Sequence, residues 1–334
     1  MDRPVHLSLS RRHMLHGSAL AGATVALPTW RRAALAHSTP QAGVPATDIQ
    51  QTRDVVYGEV DGTRLLLDVQ QPPAREDARP AVVLVHGGGL VTSGPGRYEL
   101  SQAAAALAAA GYVTFNIDYR LFSPADKANP WPAQLDDAQR AVRWVRANAT
   151  TYGVDPDRIG AYGWSSGGQL VGFLGTRETR DNRDPTLADF SSKASCAVTL
   201  GGVFDMTIRY DNSYDNAINA ELLGGTMDAL PDVAAYHDFS PITFVDRKSA
   251  PFLIFQEGSE GVIPYEHSRR MVAALQAARV QVSYGWFPTY SHGSWGSWSS
   301  SAPETLAFLE RHLHPFGERL APLQYQAEEA PDEQ

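Results

Sequence analysis

Short apolar runs separated by polar and glycine-rich segments recur along most of the chain. Residues 54–60 and 64–69 alternate apolar with polar positions on either side of Asp61-Gly62, a dipeptide favoured in tight hairpins. Later runs lack this alternation, which is typical of strands covered on both faces. These runs lie at residues 81–85, 112–117, 159–162, 197–200 and 252–255, and the last strand is predicted at 280–287.

Segments with helical patterning lie between these runs. They cover residues 100–110, 132–149, 167–175, 265–278 and 303–314. Strands that alternate with helices of this length predict an α/β fold: a mostly parallel sheet flanked by helices on both faces, opened by an antiparallel N-terminal hairpin. Residues 176–193 and 205–247 are polar and loop-rich, so we expect them to cap or rim a site.

The patterning predicts one α/β domain over residues 53–316. Residues 37–52 are rich in Pro, Ala, Thr and Gln without apolar periodicity and are predicted to form an extended leader. Residues 317–334 are predicted to form a flexible acidic tail because they lack an apolar face.

Residues 1–36 carry the pattern of an export signal. The pair Arg11-Arg12 precedes a weakly apolar run at 17–28, and Ala34-Leu35-Ala36 is a small-residue cleavage pattern, which together resemble a twin-arginine signal. The apolar run is shorter than the roughly 20 residues of a stable membrane anchor, so we expect removal of the signal and a periplasmic or extracellular protein. A basic leader with a chance arginine pair is the alternative.

Composition narrows the class of function. The net charge of -9 argues against a nucleic-acid partner, because phosphate binding needs clustered Lys and Arg. The single cysteine, Cys196, cannot form an intramolecular disulfide and lies in an apolar stretch, where we expect a small buried residue. The sequence does not determine the oligomeric state.

The first chemical motif is Gly-Trp-Ser-Ser-Gly at residues 163–167. It follows a predicted strand and precedes a predicted helix, the setting in which Gly-x-Ser-x-Gly presents a serine on a sharp turn. A serine hydroxyl is a weak nucleophile at neutral pH and needs a base and donors for the oxyanion. Ser165 is therefore our candidate nucleophile, although such a motif in isolation is often a chance spacing.

The second motif is His-Gly-Gly-Gly at residues 86–89, directly after the strand predicted at 81–85. Glycines here leave backbone N–H groups accessible to an oxyanion. No Lys-Ser or Lys-Thr pair follows, which excludes a phosphate-binding P-loop. We predict an oxyanion hole formed by Gly87, Gly88 and the amide of Ser166.

Five motifs, in the order in which they occur along the chain, resemble those of a known protein family. The chain resembles α/β-hydrolase esterases related to hormone-sensitive lipase, especially the branch containing bacterial feruloyl and acetylxylan esterases. The resemblance implies an α/β-hydrolase fold and a carboxylic-ester hydrolase without a metal or organic cofactor. It also implies that Asp118, Tyr119 and Arg120 brace the site from beneath. The motifs occupy residues 86–89, 118–121, 131–138, 155–159 and 163–168.

The partners of the serine should follow in the order Ser, acid, His. His292 lies in the loop after the last predicted strand, so it is the candidate general base. The acid departs from the family pattern, which usually has Asp four residues before the proline of Val-x-Pro; here Glu260 holds that place before Pro264. With a reference pKa of about 4.3 a glutamate stays ionised and can orient the imidazole. Asp205 and Glu257 remain open as alternative acids.

Tryptophans flank both catalytic segments. Trp164, Trp295 and Trp298 could stack on a sugar or aryl ring of a substrate, while core packing is the alternative for each.

The sequence thus predicts an exported serine carboxylesterase that hydrolyses short acyl or aryl esters, acetyl or feruloyl in type, through an acyl-enzyme on Ser165. The expected substrate is a small-molecule or polysaccharide-linked ester. Two alternatives stay open: a peptidase or amidase on the same fold, and a secreted binding protein with impaired catalysis.

Overall fold

A computed structural model describes the region that the sequence assigns to the α/β domain. Within this region, no helix is both long and apolar enough to cross a membrane. The described residues are 45, 48–181, 183–208, 213–226, 229, 231–258, 262–287, 291–292 and 298–314.

An eight-stranded sheet runs through the described region in the order β1-β2-β4-β3-β5-β6-β7-β8. The two pairings β1 with β2 and β2 with β4 are antiparallel, and every other pairing is parallel. The predicted α/β fold with an antiparallel N-terminal hairpin is confirmed. The strands are β1 Gln50–Val60, β2 Thr63–Gln71, β3 Arg79–Val85, β4 Val113–Ile117, β5 Val154–Trp164, β6 Cys196–Leu200, β7 Phe252–Glu257 and β8 Val282–Phe287.

The hairpin turns at the predicted dipeptide. Asp61 and Gly62 both have left-handed backbone, with φ of 51° and 78°, which suits the right-handed twist of the flanking strands. Strand β1 begins at Gln50, which pairs with Gln71, so it includes residues 50–52 that the sequence pattern assigned to the leader. Ladder hydrogen bonds use the backbone, so polar side chains at an edge strand do not prevent pairing.

Helices cover both faces of the sheet. Buried residues of α1 and α8 pack on one face, and those of α2, α4 and α7 pack on the other. The five predicted helices agree with these five to within two residues at most ends, because their apolar positions recur with helical spacing. The helices are α1 Ser101–Ala109, α2 Ala133–Ala147, α3 Ala149–Tyr152, α4 Ser166–Thr176, α5 Ser213–Leu222, α6 Val233–Asp238, α7 Glu266–Ala277 and α8 Ala302–Leu313.

The segment 205–247 is more regular than its sequence suggests. It contains α5 and α6, which the loop-rich interpretation missed. Helix α6 is only six residues long and begins at a cap in which Asp232 accepts a hydrogen bond from the Ala235 amide at 2.9 Å. A helix of this length is too short to show apolar periodicity, and tertiary contacts stabilise it instead.

Candidate active site

Ser165 lies on a sharp turn between β5 and α4. Its backbone has φ 55° and ψ -125°, a conformation that a non-glycine residue adopts only where its surroundings enforce it. The Ser165 amide donates to the Leu200 carbonyl on β6 at 2.8 Å, which fixes the turn at the carboxyl edge of the sheet. Strain of this kind is characteristic of functional positions.

The two glycines of the motif permit close backbone contacts. A Cβ atom on Gly163 would lie 2.5 Å from the Gly167 carbonyl oxygen, and one on Gly167 would lie 2.1 Å from the carbonyl oxygen of Val85. Both distances are far below van der Waals contact, so neither position accommodates a side chain. The glycines therefore allow the first turn of α4 to pack directly against the end of β3.

His292 meets Ser165 at this turn. Its Nε2 atom is 3.1 Å from the Ser165 Oγ, within hydrogen-bond distance. The Trp164 ring stacks on the imidazole with a centroid separation of 5.0 Å and an interplanar angle of 24°. The structure thus brings together the predicted nucleophile and base, and an aromatic face holds the base in plane.

A buried carboxylate lies on the other side of the imidazole. Glu257, the last residue of β7, has a fully buried side chain, and its Oε2 is 3.7 Å from His292 Nδ1. That separation is an ion-pair distance, longer than a hydrogen bond. Glu260, the acid predicted from sequence, lies outside the described residues.

The third candidate acid, Asp205, is engaged elsewhere. Its Oδ2 atom pairs with Arg270 at 2.7 Å, and its other oxygen accepts from Thr207. Burial opposes ionisation, but these bonds from Thr207 and Arg270 hold the pKa of the Asp205 carboxyl below its usual range. Asp205 is accordingly a local anchor for the segment after β6.

The three predicted oxyanion donors differ in whether their amides already have a hydrogen-bond acceptor. In the described part of the chain, the amides of Gly88 and Ser166 donate to no other residue. The amide of Gly87 instead donates to the Glu99 carboxylate, with 3.0 Å between the nitrogen and Oε2. Gly88 has φ 104°, which only glycine adopts readily, and the N-terminus of α4 adds favourable dipoles at Ser166.

Tyr119 and His86 hold the glycine loop from below. The Tyr119 hydroxyl donates to the His86 carbonyl at 2.9 Å, and the two rings stack with centroids 4.3 Å apart. Burial lowers the pKa of His86, so its ring is neutral, and Nδ1–H donates to the Gly87 carbonyl at 2.8 Å. Arg120 forms a two-pronged ion pair with the buried Asp137 of α2. These contacts fit the bracing role that the family resemblance implies.

A buried arginine anchors the turn that carries Glu99. Arg97, only 3% exposed, pairs with Asp54, Asp68 and Asp118, three carboxylates from the strands β1 and β2 and the end of β4. The Asn116 side chain also donates to the Arg97 carbonyl at 2.6 Å. The 3-10 turn Arg97–Leu100 is therefore fixed to the sheet, and so is the origin of the Glu99 side chain.

The tryptophans and the cysteine singled out from the sequence lie in different parts of the structure. Trp164 contacts His292, as described above, whereas Trp298 lies 5.7 Å from the Tyr162 ring and packs on the core face formed by α1 and α8. Trp295 lies outside the described residues. Cys196 is buried in β6, and burial raises the pKa of its thiol.

Glu99 is the site residue that the sequence did not single out. It lies in a connection that contains Pro and Gly, where a glutamate ordinarily faces solvent, and its contact with Gly87 depends on how two loops fold together. In the described residues, no group of three or more His, Cys, Asp or Glu side chains is arranged to hold a metal ion.

The fold and the arrangement of Ser165, His292 and the glycine loop define an α/β-hydrolase. The sequence profile of the BD-FAE family matches residues 67–275, well over half of the chain. The chain belongs to this family, and the predicted membership of the α/β-hydrolase esterases related to hormone-sensitive lipase is confirmed.

Curated relatives and solved structures are similar over most of the chain. A probable carboxylic ester hydrolase, LipM of Mycobacterium tuberculosis, is 28% identical over 80% of this chain and 61% of its own length. Esterase LipC of the same organism is 32% identical over 72% of this chain and 59% of its own length. The chain thus spans about 60% of the length of these relatives.

Among solved structures, a truncated carbohydrate esterase from gut microbiota aligns with a TM-score of 0.69 at 22% identity, covering 81% of this chain and 99% of that one. Esterase Est2 of Thermogutta terrifontis with bound propionate aligns with a TM-score of 0.65 at 25% identity, covering 83% and 97%.

Proposed function

We propose that this protein is a serine carboxylesterase that hydrolyses short acyl or aryl esters, of acetyl or feruloyl type, through an acyl-enzyme on Ser165. The observation that carries the proposal is the 3.1 Å contact between Ser165 Oγ and His292 Nε2 at a strained turn. Two backbone amides, that of Gly88 in the glycine loop and that of Ser166 in the first turn of α4, have no other described partner.

The proposed reaction follows from these positions. His292 Nε2 accepts the Ser165 proton while Oγ attacks the ester carbonyl carbon, and the carbonyl π electrons move to its oxygen. The amides of Gly88 and Ser166 stabilise that oxyanion. The C–O bond to the alcohol then breaks, and His292 returns the proton to the departing alkoxide. Water repeats the sequence on the acyl-enzyme and releases the acid.

The same arrangement would attack an amide, so the ester preference rests on the relatives. The curated relatives named above are ester hydrolases, and the gut-microbiota structure is named as a carbohydrate esterase. The hydrogen-bond distance between Ser165 and His292 favours a working nucleophile–base pair over an impaired scaffold.

A substrate panel tests the proposal. Purified protein is expected to release 4-nitrophenolate from the acetate and butyrate esters, and acetate from acetylated xylan or ferulate from methyl ferulate. The matched amide, 4-nitroacetanilide, should turn over far more slowly. Faster cleavage of the anilide than of the acetate would indicate an amidase, and no turnover of any ester would contradict the proposal.

We also propose that the protein is exported by the twin-arginine route. Support comes from Arg11-Arg12, the short apolar run and the small-residue cleavage pattern in residues 1–36. Replacing both arginines with lysine should leave the precursor in the cytoplasm, because this route reads the guanidinium pair. Fractionation followed by immunoblotting measures the distribution, and unchanged export of the double-lysine variant would contradict the proposal.

A further inference from the structure

Glu99 places a carboxylate at the glycine loop of the candidate site. Its Oε2 accepts the hydrogen bond of the Gly87 amide at 3.0 Å, and Gly87 itself packs against Trp164, the neighbour of Ser165. The anchored turn of Arg97 fixes the backbone from which this side chain extends. The carboxylate is thus held near the reacting atoms by two independent attachments.

The described ion pairs leave the Glu99 carboxylate without a Lys or Arg partner. Among the described residues, no Lys or Arg forms an ion pair with it, whereas Asp118 pairs with Arg97 and Glu257 lies beside His292. Burial raises the pKa of the Glu99 carboxyl, and the Gly87 bond and the nearby His292 oppose that rise. Geometry links the two groups, because Gly87, which binds Glu99, packs against Trp164, and the Trp164 ring stacks on His292.

The residue is also accessible to a substrate. Glu99 as a whole is exposed while its carboxyl is partly buried against the glycine loop, so solvent reaches the side chain beside the candidate site. A fixed charge on the wall of a cleft raises the local concentration of ligands of opposite sign and repels those of the same sign.

We propose that Glu99 is a specificity-determining residue whose carboxylate makes the site discriminate against esters that carry a negative charge and favour those that carry a positive one. The inference rests on the proposed esterase function and adds the charge of the substrate to it. A unit charge several ångströms from the substrate charge, in a medium of intermediate dielectric, changes kcat/KM by about five- to tenfold.

Matched ester pairs at pH 8 isolate the charge. One pair is mono-4-nitrophenyl succinate and its methyl-capped neutral form. The other is acetylthiocholine and its neutral isostere, 3,3-dimethylbutyl thioacetate. Each preference is the ratio of kcat/KM values within one pair: neutral over anionic in the first, cationic over neutral in the second. In Glu99→Gln both ratios should fall about five- to tenfold. In the wild-type protein both preferences should shrink between 20 mM and 500 mM NaCl, because salt screens an accessible charge.

The control is Glu76→Gln. Glu76 is an exposed residue just before β3, at the amino edge of the sheet and opposite the site, so neither preference should change. Equal changes for both members of each pair in Glu99→Gln would mean that Glu99 only braces the loop and would overturn the inference. Salt-independent preferences in the wild type would overturn it without any variant. Absence of turnover with every ester would remove the esterase function and this inference with it.

Discussion

Replacing Ser165 with alanine is expected to lower kcat for 4-nitrophenyl acetate by about 10⁴- to 10⁶-fold, the range for loss of a triad nucleophile. The change removes the Oγ atom that lies 3.1 Å from His292 Nε2, while the amides of the glycine loop stay in place. KM should change little, because the hydroxyl contributes chiefly to the transition state.

The neighbouring serine supplies a matched control. Ser166→Ala keeps the backbone amide that we assign to the oxyanion hole, so most activity should survive. A fluorophosphonate probe should label the wild type and Ser166→Ala at one serine and fail to label Ser165→Ala, as judged by intact mass and peptide mapping. Labelling of a folded Ser165→Ala variant, or equal losses of activity in both variants, would assign the nucleophile elsewhere.

Local patterns explain how much of the fold could be predicted. The turn at Asp61-Gly62, the buried strands and the five predicted helices each have a signature within about a dozen residues, and the structure contains all of them. Ser165 and His292 were singled out for the same reason, because Ser165 lies in a short motif after a strand and His292 lies in the loop after the last strand; their catalytic roles stay predictions.

Contacts between distant loops explain what the sequence did not reveal. Glu99 reaches Gly87 from a turn that Arg97 attaches to three carboxylates distant in the sequence. The packing of Trp298 on Tyr162 likewise depends on a ring from the middle of the sheet. Neither contact produces a periodic pattern in the sequence. The residue type alone therefore could not show whether Glu99 or Trp298 lies in the core or at the site.

The second large loss of kcat is expected on substitution of the acid that supports His292. We propose that Glu260 accepts the hydrogen bond from His292 Nδ1, as the sequence pattern predicts, and that Glu257 stabilises the imidazolium through space. The 3.7 Å separation of Glu257 from Nδ1 suits an electrostatic role and exceeds the length of a hydrogen bond. In this proposal both carboxylates would favour the imidazolium, and only the hydrogen-bonded one would fix the tautomer.

Paired variants separate the two roles. Glu260→Gln should lower kcat by about 10⁴-fold, because an amide can hold the imidazole in the wrong tautomer. Glu257→Gln should lower kcat by only about tenfold and shift the acid limb of the pH–kcat/KM profile to lower pH, since loss of a nearby negative charge favours neutral imidazole. Thermal melts check that both variants fold.

A loss of about 10⁴-fold in Glu257→Gln with a mild effect in Glu260→Gln would transfer the hydrogen-bonding role to Glu257. Mild effects in both would direct attention to Asp205, whose carboxylate is held by Arg270 and would have to leave that pair to reach the base.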